Sequence, residues 1–248
     1  MLPQTADVRE RMIVALDFAT MEEVKQCLSV LHGRIRYVKV GMELSYAQGP
    51  SIVNYLKDQG LKVFLDLKIH DIPNTAKGAM RSLAKLGMDM VNVHAAGGLA
   101  MMEAAREGLE QGTVAGAPRP LLIGVTMLTS TSKRTMNEEL LISGEVEDTV
   151  LHYAKLTKQA GLDGIVASPL EVPFIKKELG DSFITVTPGI RPLGADQGDQ
   201  TRITTPEQAF RLGSDYLVIG RAITAANDPV AAWERIVEAV EEDRANQA

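Results

Sequence analysis

The run Val63-Phe64-Leu65-Asp66-Leu67-Lys68-Ile69-His70-Asp71-Ile72-Pro73-Asn74-Thr75 is an apolar stretch that ends in acid, base and acid. β-favouring residues precede Asp66, so the run reads as a buried strand delivering charges to a site. Strand side chains alternate with period two, which turns Asp66 and Lys68 to one side, roughly 7 Å apart, and leaves Asp71 in the loop beyond. Carboxylates beside a lysine keep it protonated and oriented, because opposite charge raises its pKa whereas burial alone lowers it. The same charges could form a solvated strand rim, so the elements that place them must decide.

Short β-rich runs recur along the chain with amphipathic helical stretches between them, the pattern of a parallel sheet with crossover helices. They end near Asp17, Gly41, Lys68, His94, Thr126, Ser168, Pro188 and Arg221. Eight βα units in a chain of this length predict a single (β/α)8 TIM barrel of the α/β class over residues 1–248, with 1–10 as an N-terminal tail. Thr20 is placed to cap a helix carrying Glu22 and Glu23, Gly60 and Gly87 fall where helices should stop, and Pro73 suits a first helical turn. Residues 128–147 are polar and irregular and read as an extended connection with room for one short helix. Active sites in this architecture sit at the carboxyl ends of the strands, where Asp17, Lys39, Asp66, Lys68, His94, Thr126, Ser168, Arg191 and Arg221 fall.

Two glycine–arginine segments follow the last two strands: Thr187-Pro188-Gly189-Ile190-Arg191 and Val218-Ile219-Gly220-Arg221. These are the loops that commonly make a barrel's phosphate site. Glycine lets backbone N–H groups approach an anion, and arginine offers a donor fork to it. The glycine-rich, polar stretch between them reads either as an ordinary surface loop or as a phosphate-binding lid loop over 189–204, with Gln200 able to reach the phosphate.

Composition narrows the partners. A net charge of −6 and a pI near 5.3 argue against non-specific binding to nucleic acid or anionic membrane. The first residues lack the regions of a signal peptide and no run of about 18 apolar residues occurs, so a cytoplasmic location is expected. Cys27 is the lone cysteine, which excludes an intramolecular disulfide and a cysteine-based zinc site. His70 and His94 read as orienting neighbours by hydrogen bonds, and His32 and His152 as surface or packing residues.

Asp66-Leu67-Lys68-Ile69-His70-Asp71-Ile72-Pro73-Asn74-Thr75, with Leu16-Asp17, Val38-Lys39-Val40-Gly41, the Thr187–Arg191 segment, Gly198-Asp199-Gln200 and Val218-Ile219-Gly220-Arg221, closely resembles the orotidine 5'-phosphate decarboxylases over almost the whole chain. The resemblance implies a homodimeric, cytoplasmic barrel that makes uridine 5'-phosphate and carbon dioxide without metal or organic cofactor. It implies that Lys68 is the cation beside C6 and then its proton donor, within a network of Lys39, Asp66, Lys68 and Asp71. It assigns Asp17 and Lys39 to ribose hydroxyls, Ile72 to the substrate site, and Thr126 to the pyrimidine edge. Pro188, Arg191, Gln200, Gly220 and Arg221 go to the phosphate end, and Asp71 and Thr75 reach across the dimer interface. The nearest alternatives are the magnesium-dependent 3-keto-gulonate phosphate decarboxylases and hexulose phosphate synthases. Those carry a metal-binding glutamate where this chain has Lys39, whose ammonium would repel magnesium, although Glu43 is close in sequence. A non-catalytic phosphate-ligand sensor is the alternative of a different kind, and it would not need the Asp-Lys-Asp set.

Overall fold

Period-two alternation divides each strand's side chains between two apolar cores, one inside a barrel and one beneath its helices. The computed structural model describes residues 7–192 and 204–247. Its strands are β1 (Met12–Ala15), β2 (Tyr37–Gly41), β3 (Lys62–Ile69), β4 (Met90–His94), β5 (Leu121–Val125), β6 (Gly164–Val166), β7 (Ile184–Thr187) and β8 (Tyr216–Ile219). All are parallel and pair in chain order, and β8 closes on β1 through Met12↔Leu217, Ile13↔Val218 and Val14↔Ile219. Each expected run is a strand, and the expected (β/α)8 barrel is the architecture found.

Helices α1 (Met21–Leu31), α2 (Met42–Gln48), α3 (Ser51–Asp58), α4 (Pro73–Ala84), α5 (Gly98–Gly112), α6 (Val146–Gln159), α7 (Val172–Leu179), α8 (Pro206–Arg211), α9 (Arg221–Thr224) and α10 (Pro229–Ala245) accompany the strands. Thr20 and Glu23 form a reciprocal capping box at α1, Pro73 opens α4, and Gly60 and Gly87 take the left-handed conformation just past α3 and α4. The 128–147 connection holds one five-residue π-helical turn, Thr135–Glu139. The N-terminal tail ends earlier than expected: Val8–Glu10 forms a 3-10 turn, Val8 is buried, and Arg9 lies 3.5 Å from Glu234 and 3.3 Å from Glu241 of α10. An apolar residue four positions before the first strand is enough to dock that turn.

The two ends of the barrel differ in chemistry. At the amino end, Asp89, Asp163 and Asp215 stand immediately before β4, β6 and β8, each following a glycine by two residues: Gly87-Met88-Asp89, Gly161-Leu162-Asp163 and Gly213-Ser214-Asp215. Their carboxylates accept the backbone N–H of Val63, Leu122 and Thr185 on the preceding strand or just inside it, at 2.7, 2.7 and 2.8 Å. Each is also paired with a cation, Lys57, Arg119 and Lys176 respectively. This repeated clamp satisfies strand donors and fixes the register where no chemistry is required. Among the described residues no helix is long and apolar enough to cross a membrane.

Candidate active site

Inside the barrel Ile13, Tyr37, Phe64, Met90 and Ile123 form an apolar layer, with Tyr37 and Tyr216 in edge-to-face contact at 5.9 Å. Two residues further along the same strands the interior positions become Ala15, Lys39, Asp66, Asn92 and Val125. Lys39, Asp66 and Asn92 are buried there, over a hydrophobic floor. Phe64, Val125, Val166, Val186, Pro188 and Val218 wall a cavity of about 240 Å³ into which Lys39, Asp66 and Lys68 also open.

The charges alternate around this cavity. Lys68 Nζ donates to Asp66 Oδ1 at 2.7 Å, Lys39 Nζ lies 3.5 Å from Asp66 Oδ2, and Lys39 also donates to Asp17 Oδ1 at 2.9 Å. Burial by itself raises the Asp66 pKa, but the Lys39 and Lys68 ammoniums and the hydrogen bonds from Lys68 and Asn92 outweigh it and hold the carboxyl below its ordinary value. Gly41 makes room for the arrangement: a Cβ there would stand 3.2 Å from Lys39 Nζ and 3.4 Å from Asp17 Oδ1.

Asp66 and Lys68 converge by a different route from simple alternation. The β3–β4 register steps from Leu65↔Val91 to Ile69↔Val93, so the chain between Leu65 and Ile69 bulges opposite one residue, Asn92. Lys68 sits in the left-handed region at φ 51, uncommon for a residue with a Cβ. Asn92 fills the break: its Oδ1 accepts from the Lys68 backbone N–H at 2.7 Å and its Nδ2 donates to Asp66 Oδ1 at 2.6 Å. Sequence reasoning missed Asn92, reading it only as part of the Met90–Val93 strand. The available signal was a lone amide at an interior position of an apolar strand, level with Lys39 and Asp66.

The remaining expected residues are placed variously. Asp71 is exposed just after β3, accepts the Ile72 N–H at 2.6 Å, and pairs with no cation of its own chain among the described residues. Ile72 and Thr75 lie exposed at the start of α4, apart from the cavity lining. Thr126 is buried at the end of β5 and its hydroxyl donates to the Val166 carbonyl at 3.0 Å; the residues that follow it, Met127, Leu128, Thr129 and Ser130, line the cavity. Arg191 donates its backbone N–H to Thr204 O at 3.0 Å. Gln200 and the stretch 193–203 lie outside the described residues. Gly220 caps α9 and Arg221 begins it, so the first N–H groups of that turn follow directly on β8. Burial, with His70 and Lys68 as positive neighbours, pushes His94 below the usual imidazole value, and its ring lies 5.6 Å from that of His70. Glu43 is exposed on α2 and does not line the cavity. Among the described residues no three His, Cys, Asp or Glu side chains gather as a metal-ligand group.

Fold and charge placement define the class, a (β/α)8 barrel with side-chain charges gathered at the carboxyl end of its strands. The chain belongs to the orotidine 5'-phosphate decarboxylase / HUMPS family, whose pattern matches residues 10–236. It is 56% identical over 225 residues to the orotidine 5'-phosphate decarboxylase of Bacillus cytotoxicus, covering 91% of this chain and 94% of that one. It is likewise 56% identical over 227 residues to that of Bacillus cereus strain AH187, covering 92% and 95%. The crystal structure of orotidine 5'-phosphate decarboxylase from Lactobacillus acidophilus superposes with a TM-score of 0.83 at 43% identity, covering 92% of this chain and 98% of that one. An uncharacterized conserved protein from Geobacillus kaustophilus gives the same TM-score at 52% identity, covering 92% and 99%.

Proposed function

We infer that the chain decarboxylates orotidine 5'-phosphate to uridine 5'-phosphate and carbon dioxide, a step of pyrimidine synthesis. The observation that carries this reading, beside family membership, is the Lys39–Asp66–Lys68 network, with Lys39 and Asp66 buried and Lys68 half-buried, opening into an apolar-walled cavity. Loss of carbon dioxide from C6 leaves an electron pair in an in-plane orbital that the ring's π system cannot delocalise. Stabilisation must then come from outside the ring, and a preorganised cation in a water-poor site supplies it. Lys68 is that cation and afterwards gives C6 its proton; Asp66, 2.7 Å from its ammonium, holds and aims it. Lys39 and Asp17 serve the ribose, Thr126 the pyrimidine edge, and Pro188, Arg191, Gln200, Gly220 and Arg221 the phosphate, with 189–204 read as the phosphate lid of a one-domain barrel. The Lys39 ammonium, within reach of both Asp17 and Asp66, disfavours a magnesium-dependent relative's chemistry at this position.

A homodimer completes the reading, with Asp71 and Thr75 serving the neighbouring site and Ile72 assigned to the substrate site. It is supported by the exposure of these residues and of the apolar Met42 and Tyr46, and by Asp71 having no cation partner of its own chain among the described residues. A cytoplasmic setting fits a biosynthetic step on a charged phosphate ester. Two measurements test the proposal. Lys68→Ala should lose carbon dioxide release by a factor of about 10⁴ or more, from the loss of both a stabilising charge and a proton donor, with an unchanged circular dichroism spectrum. Near-normal turnover by that variant would refute the role of Lys68. Mixing Lys68→Ala with Asp71→Ala protein should restore activity, because one site of the mixed dimer then carries neither change; no restoration would place Asp71 in its own subunit's site.

A further inference from the structure

The charge network needs something to hold its backbone, and the bulge at β3 identifies what does so. Between Leu65 and Ile69 the β3 ladder leaves β4, and Lys68 is turned into a left-handed conformation that its Cβ disfavours. A strand broken there would leave the Lys68 N–H without a backbone partner in the sheet. Asn92, fully buried, supplies the missing acceptor at 2.7 Å with one end of its amide and grips Asp66 Oδ1 at 2.6 Å with the other. Asp66 Oδ1 therefore receives Lys68 Nζ and Asn92 Nδ2 together, and the amide spans the two residues whose relative position sets the direction of the ammonium.

We propose that Asn92 is the positioning residue of this active site: its amide locks the β3 bulge and so aims the Lys68 ammonium. The inference rests on the reading of Lys68 as the cation at C6. It adds that a neutral side chain, which touches neither substrate nor proton, sets the rate through the backbone of Lys68. A chain without this bridge lets residues 66–68 relax toward a regular strand, and displacement of a catalytic group by about 1 Å is enough to lower turnover by about 10²-fold.

The charged and titratable groups around position 92 are Asp66 and Lys68 of β3, Lys39 of β2 beyond Asp66, and His94 further along β4. An aspartic acid at 92 retains the bridge only while protonated, since its O–H can replace the amide donor toward Asp66. Once ionised, it faces Asp66 with like charge. The experiment measures kcat and KM of wild type, Asn92→Ala and Asn92→Asp on orotidine 5'-phosphate across roughly pH 5–8, with uridine 5'-phosphate affinity and melting temperature recorded alongside. Asn92→Ala should lose about 10²-fold in kcat with KM and product affinity little changed. For Asn92→Asp, the ratio of its kcat to that of wild type should fall as pH rises. A folded Asn92→Ala with kcat within about threefold of wild type, or a loss confined to KM, overturns the proposal. A pH-independent ratio for Asn92→Asp also overturns it, and decides the matter where the alanine variant does not fold. These outcomes are separate from failure of the underlying reading, which shows only in an active Lys68→Ala.

Discussion

The three aspartate clamps at the amino end of the barrel should contribute unequally to stability, in an order set by their burial. The Asp89–Lys57 side chains are 31% and 34% exposed, Asp163–Arg119 21% and 27%, and Asp215–Lys176 10% and 11%. Replacing Asp215 by alanine leaves Lys176 buried without its carboxylate and takes the acceptor from both the N–H and the hydroxyl of Thr185. Removing one partner of a buried pair costs about 3–5 kcal/mol. Asp163→Ala leaves the Leu122 N–H and a guanidinium that had two contacts, at 2.9 and 2.6 Å, in a more solvated setting. A cost of about 2–3 kcal/mol follows from one lost charge-assisted bond and a weakly contributing exposed pair. Asp89→Ala is the mildest, about 1–2 kcal/mol by the same reasoning. In a chain of this size each kcal/mol moves the melting temperature by about 2–4 °C, so the shifts should be roughly 6–20, 4–12 and 2–8 °C. Calorimetric melts read the order, and decarboxylation at 25 °C should remain near wild type in all three because the site lies at the opposite end. Equal shifts, a reversed order, or lost activity at unchanged stability would refute the division of the barrel into a stabilising and a reactive end.

Asp66 predicts a pH signature. Its folded-state pKa lies below the ordinary carboxyl value, so its contribution to stability is fully present above about pH 4 and is lost as pH falls through the folded-state value. The difference in unfolding free energy between wild type and Asp66→Asn should accordingly be constant from neutral pH down to about pH 5 and shrink below about pH 4; a difference that grows on acidification would contradict the assignment. Dialysis against EDTA should leave carbon dioxide release intact, whereas loss that added magnesium restores would favour the metal-dependent relatives. Burial raises the Cys27 thiol to about 11, so iodoacetamide at neutral pH should label it far more slowly in native protein than in urea. Fast native labelling would contradict its packed position.

Much of the barrel was legible because each strand is a short β-favouring run closed by a polar residue, a glycine or a proline, and because Thr20, Gly60, Gly87 and Pro73 have local reasons to start or stop helices. Lys39, Asp66 and Lys68 were legible for the same reason, since charge at the end of a buried strand needs a partner. What sequence could not supply is what depends on pairing between strands. The bulge exists only in the relation of β3 to β4, and Asn92 acquires its role only when it stands opposite that bulge. Thr126 looks like any strand-end hydroxyl until the approach of β6 engages it with Val166. The clamps were missed although Gly-x-Asp recurs before β4, β6 and β8, because each aspartate's partner lies on another strand or helix.

The bulge also explains why strain can be held at this point of the fold. A regular strand would carry Asp66 and Lys68 side by side at roughly 7 Å, with both side chains projecting in parallel. Turning Lys68 to φ 51 breaks that geometry and costs about 1–3 kcal/mol. The cost is offset locally by the Asn92 bridge and by the 2.7 Å ion pair with Asp66, and it is tolerated globally because β3 is anchored at its other end. There Val63 donates to Asp89, and Lys62 donates its N–H to Arg36 O at 2.9 Å, pinning the strand's entry into the barrel. Weakening that anchor should therefore cost stability first, whereas removing the bridge should misalign the ammonium while the barrel stays closed.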